Sequence, residues 1–84
     1  MTTPISTDDA LQMLAELFEQ PRAGLRPDTP RDSVPGWDSM GALSLMAELD
    51  ERFGIELGAD ASREMTRIGD VLSLLRGHGA LSGA

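Results

Sequence analysis

At 84 residues, with hydrophobic side chains at 40% of the composition, the chain has apolar material for one compact core and no length for a second. Fourteen acidic residues stand against seven basic ones, all arginine, for a formal charge of −7. That balance argues against a nucleic-acid binder, which needs a basic footprint. The lack of cysteine excludes disulfides, thiolate metal sites and cysteine nucleophiles, and apolar runs of only two or three residues exclude a membrane-spanning helix.

In chain order, MTTPISTDDA has neither a basic n-region nor an apolar h-region, so a cytoplasmic address is expected. The first helix is predicted from Asp8 to Glu19, capped by Ser6 or Thr7, with Asp8 and Asp9 at its positive end and an apolar stripe of Leu11, Leu14, Leu17 and Phe18. Pro21 stops it. Residues 21–37, PRAGLRPDTPRDSVPGW, carry four prolines and two glycines and read as a long loop anchored inward by Leu25 and Val34.

The second helix, Ser39 to Phe53, is the most periodic segment. At 100° per residue, Ala42, Leu45, Met46, Leu49 and Phe53 fall within roughly 100° of arc, the core face. Gly54 ends it, and Ile55 and Leu57 anchor an extended link. A short third helix is predicted around Asp60 to Met65, and a fourth near Gly69 to Leu75. The closing GHGALSGA reads as a flexible tail. The expectation is an all-α, four-helix bundle, three helices longer and one short, in a single domain over 1–84. Its folded body is placed at 6–76 and its tail at 77–84. The predicted core joins Leu14, Phe18, Leu45, Leu49, Phe53, Ile68 and Leu72.

Met40, Leu43 and Ala47 fall outside the core arc, about 40° to 100° from Ser39 on the same side. Either the third helix or the long loop covers them, or they form an exposed strip, flanked by Asp38, Asp50 and Glu51, that a partner protein covers.

Ser39 itself lacks the surroundings of a nucleophile. The one histidine, His78, lies almost forty residues away between two glycines, and there is no GxSxG elbow. Neither a catalytic set nor a metal-ligand set is expected. A serine at a helix start suits another task, because phosphate attached there meets unpaired backbone N–H groups and the positive end of the helix dipole. Asp38 caps that turn and is placed to present a metal ion to an incoming phosphate donor. A chain without cysteine that needs a thiol has to acquire one covalently.

The stretch GWDSMGALSLMAELDERFGIEL, followed by MTRIGDVLSLL, resembles an acyl carrier protein. The resemblance covers nearly the whole chain: the first helix, the Pro-rich loop, the Asp-Ser motif, Phe53 and Gly54, and the T-x-I-x-D-x-L pattern at Thr66, Ile68, Asp70 and Leu72. It implies a four-helix bundle carrying 4'-phosphopantetheine, donated by coenzyme A, on Ser39, with Asp38 the acid that precedes it. The arm's thiol holds an acyl or aminoacyl group as a thioester. Met40, Leu43 and Ala47 fall at the family's apolar docking positions, Asp50 and Glu51 at its docking acids.

Met40 stands where leucine is usual, a change conservative in volume, and Ser44 where many fatty-acid carriers have an acid. Trp37, two before the serine, replaces a small residue, and the frame lacks the Gly-Gly of peptidyl carriers. The G-W-D-S frame is more similar to discrete carriers of specialised pathways than to the housekeeping fatty-acid carrier, which is the alternative within the class. The resemblance implies a monomer that is not itself an enzyme. Its partners would be a phosphopantetheinyl transferase, an acyl- or aminoacyl-activating ligase and a downstream transferase or synthase, with no nucleic acid and no membrane. From another class, the alternative is an unmodified helical interaction module.

Overall fold

The computed structural model describes residues 4–82. Four α-helices follow in order: α1 (Thr7–Leu17), α2 (Ser39–Phe53), the short α3 (Ala59–Glu64) and α4 (Ile68–Gly77). Among the described residues there is no strand, only isolated pairings of Ile5 with Leu81 and of Pro30 with Arg67. The expected all-α bundle is what forms. Its radius of gyration is 11.6 Å, close to the roughly 12 Å expected of a compact chain this long.

α1 begins where Ser6, in extended conformation, accepts the Asp9 N–H at 3.0 Å, with Asp8 and Asp9 at the positive end. It buries Ala10, Leu11, Met13 and Leu14 and hands the chain on through buried Phe18. Glu19 then enters the left-handed region at φ 55°, and the Gln20 N–H reaches back to the Ala15 carbonyl at 2.8 Å. This closes the helix end in the manner usually served by glycine.

The long loop is pinned by its own side chains. Two 3₁₀ turns, Arg22–Gly24 and Arg31–Ser33, set its path, and Leu25 and Val34 are buried as expected. Its backbone also closes the start of α4. The Pro27 and Thr29 carbonyls accept the Gly69 and Ile68 N–H groups at 2.7 and 3.0 Å, and the Arg31 N–H donates to the Thr66 carbonyl at 2.8 Å. Two further N–H groups there, of Thr66 and Arg67, donate to the Asp70 carboxylate at 2.7 and 3.1 Å. The Thr66 N–H above all holds the Asp70 carboxyl below its ordinary value. Partial burial pulls the other way, and the Arg67 N–H, the Thr66 hydroxyl and the Arg67 charge assist the lowering.

The seven expected core residues are all buried, joined by Val71, Leu75, Ile55, Leu57 and Met65. Of the expected core arc of α2, Ala42 and Met46 are half-buried and pack against the core from its edge. The closing segment packs back on the bundle within the described residues. Gly79, at φ 71°, turns the chain so that Ala80 is buried, the Ile5 N–H donates to the Ala80 carbonyl (2.9 Å), and the Ser82 N–H donates to the Ile5 carbonyl (2.8 Å). The apolar Ile5 and Leu81 supply the reason to close, so the folded body runs from Ile5 to Ser82 rather than from 6 to 76. Gly83 and Ala84, the end of the expected tail, lie outside the described residues.

Candidate functional site

Two close backbone approaches set the start of α2. A Cβ on Gly41 would land on the Gly36 carbonyl oxygen, and one on Gly36 would land on the Phe18 carbonyl oxygen. The loop before Ser39 is therefore clamped between the end of α1 and the first turn of α2. Asp38, extended at φ −100° and ψ −162°, accepts the Gly41 N–H on Oδ1 at 2.9 Å. Ser39 is the first helical residue, exposed, and its hydroxyl takes no part in the cap.

Trp37, absent from the expected core, is 3% exposed. Its ring stacks on Phe18 with centroids 5.2 Å apart and planes 16° from parallel, and the Arg31 guanidinium lies 4.8 Å from its centroid. Its Nε1 is buried without a partner among the described residues, a cost that the stacked area has to offset. Arg31 in turn donates from Nη1 to the Ser62 and Met65 carbonyls at 2.9 and 3.3 Å. One run of contacts thus ties the residue before Asp38 to α1 and to α3. The signal available in the sequence was an aromatic in a glycine-proline loop of a chain with three aromatics in all.

Past Ser39, α2 presents Met40 at 70% and Leu43 at 59% exposure, with Ala47 exposed beyond them. Leu45 and Leu49 on the opposite face are at 0%. The strip is uncovered, so the alternative in which α3 or the loop covers it does not hold. Asp50 and Glu51 are exposed as well but sit at the far end of the helix, about 17 Å along the axis from Ser39. Asp38 is thus the only one of the three flanking acids close to the serine. Beside the strip an open groove of about 280 Å³ runs between α2 and α3, walled by Ser39, Ala42, Leu43 and Met46 on one side and by Ala59, Ser62 and Arg63 on the other, with Arg31 reaching in from the loop.

His78 is exposed at the end of α4 and joins no group of side chains at this site. Among the described residues no three His, Cys, Asp or Glu side chains gather as a metal site, and no helix is long and apolar enough to cross a membrane. Neither a family model nor a curated protein matches the chain.

Proposed function

We propose that the protein is a carrier: Ser39 bears 4'-phosphopantetheine, and the domain delivers an acyl or aminoacyl group to partner enzymes of a specialised biosynthetic pathway in the cytoplasm. The observation that carries this reading is an exposed serine hydroxyl, free of the cap, on a clamped helix start that continues directly into the uncovered strip of Met40, Leu43 and Ala47. Asp38 holds the capping position, so the Ser39 hydroxyl has no partner in the cap to give up and remains available for chemistry.

The residues present fit the arm. Ser39 opens both to solvent and to the groove, so an attached phosphate meets no steric wall. The first-turn N–H groups and the helix dipole favour its charge. When bound, the arm supplies the thiol that this cysteine-free chain lacks. In the attachment, Ser39 Oγ bonds to the phosphorus that bears the pantetheine portion of coenzyme A. The diphosphate P–O bond breaks, adenosine 3',5'-bisphosphate leaves with the electron pair, and the hydroxyl proton passes to a base of the transferase. Asp38 caps the turn, and its carboxylate, next to Ser39 in sequence, would be the residue to steady a divalent cation brought in with the donor.

The exposed strip and the acids Asp50 and Glu51 serve the successive partners: the transferase, an activating ligase, and a downstream transferase or synthase. Apolar contact supplies affinity and charge supplies encounter rate. The protein works as a monomer and does no chemistry of its own beyond offering Ser39.

Intact-mass measurement after incubation with a phosphopantetheinyl transferase and coenzyme A tests the reading. One arm per chain is expected, with Ser39→Ala abolishing it and leaving the helical circular dichroism unchanged. Modification that survives in Ser39→Ala, or maps to Ser33 or Ser44, overturns the assignment. A wild-type chain that stays unmodified, yet binds a protein through Met40 and Leu43, is instead an interaction module.

A further inference from the structure

In a chain with twice as many acids as bases, half-buried Arg31 has no carboxylate partner among the described residues. Its place is nevertheless fixed, by two carbonyls on Nη1 and by the Trp37 ring. Both of those bonds use Nη1, so the Nε and Nη2 hydrogens remain available to a further acceptor. Arg31 and Arg63 line two openings, and the one against α2 also contains Ser39; Arg63 is bonded to Asp60 at the surface. A guanidinium held rigid, partly desolvated and short of acceptors is the complement of an oxyanion. An apolar chain laid in the groove would strip water from that charge and return nothing.

We propose that Arg31, assisted by Arg63, binds the phosphoryl oxygens of a phosphate carried on Ser39. This rests on the reading of Ser39 as the attachment site and assigns the α2–α3 groove to the root of the arm. About 280 Å³ takes roughly nine water-sized groups, room for a phosphate and the first atoms that follow it. The consequence is directional: the arm leaves Ser39 on the α3 side, away from the face that carries Met40. A phosphoserine at position 39 would present the same kind of phosphoryl oxygen, with three terminal oxygens and about −1.5 to −2 of charge where the arm's diester has two oxygens and one charge, and the experiment separates the two sources.

The chain is prepared unmodified, with the arm attached to Ser39, and with phosphoserine incorporated at position 39. Thermal unfolding and the Arg31 Nε–H resonance are recorded for each. Both phosphate-bearing forms are expected to melt roughly 3–6 °C higher at low salt, with the gain shrinking as salt rises and the Arg31 resonance shifted. Arg31→Gln should lose more than half of that gain, and Arg63→Gln, at an exposed position, a smaller share. If Arg31→Gln fails to fold because its carbonyl ties are gone, the resonance in the unmutated chain decides alone.

Full retention of the gain in Arg31→Gln, or an unmoved Arg31 resonance in both phosphate-bearing forms, overturns the proposal. A shift with the arm but none with phosphoserine also overturns it, by showing that the groove binds atoms beyond the phosphate. Failure of the transferase to modify Ser39 is read separately, by mass. It overturns the attachment reading while the phosphoserine form still decides whether the groove holds a phosphate.

Discussion

Gly41 lies two positions after Ser39, inside a helix, where alanine would ordinarily be the better residue by about 1 kcal/mol. Here the propensity argument fails, because the added methyl would meet the Gly36 carbonyl oxygen and neither backbone is free to yield. Gly36 is itself held against Phe18. Gly41→Ala is therefore expected to destabilise by about 1–3 kcal/mol in urea unfolding, the usual cost of overpacking. A gain in stability would mean that the loop and α2 stand further apart than described. The same clamp seats Trp37, between Gly36 and Asp38, against Phe18, where its ring stacks and its Nε1 is left without a partner among the described residues.

At the scale of elements, local signals in the sequence were enough wherever the cause of structure was local. Ser6 and Asp38 act as the caps they resemble, Gly54 ends α2 in the left-handed region, and α2 runs over the residues that its periodicity gave. The misses share another origin. Ala80 and Leu81 look like tail because their partner, Ile5, is at the other end of the chain. Trp37 looks like loop because its partners, Phe18 and Arg31, come from separate segments. The start of α4 combines both kinds of cause, and its acid is testable. Folding lowers the Asp70 carboxyl below its unfolded value, so the stability it contributes is complete above the unfolded value and is lost as pH falls through the folded one. Urea midpoints followed from neutral pH to about pH 2 should drop for the wild type and for Asp70→Asn, with the variant lower at neutral pH and the two curves converging in acid. Parallel curves would show that the Thr66 and Arg67 N–H groups do not depend on that charge.

For the whole molecule the question is how one helix both builds the core and serves partners. Its two faces should respond oppositely to substitution. Leu49, at 0% exposure, lies under the bundle, and Leu49→Ala should cost about 2–5 kcal/mol, much of what a domain this small possesses. Leu43, at 59% exposure, is mostly open to solvent at the rim of the groove, and Leu43→Asp should change stability by less than about 0.5 kcal/mol because the new charge stays in water. The same substitution should slow modification of Ser39 severalfold, since it removes an apolar contact from the middle of the uncovered strip. Asp50 and Glu51, at the other end of α2, should act through encounter rather than contact. Reversing both to arginine should slow association most at low salt, where screening is weakest, and little at high salt. A Leu43→Asp chain that unfolds, with modification normal on whatever remains folded, would place Leu43 in the core and remove the strip. A charge reversal whose effect does not vary with salt would remove the acids from docking and leave Met40, Leu43 and Ala47 as the whole of the partner surface.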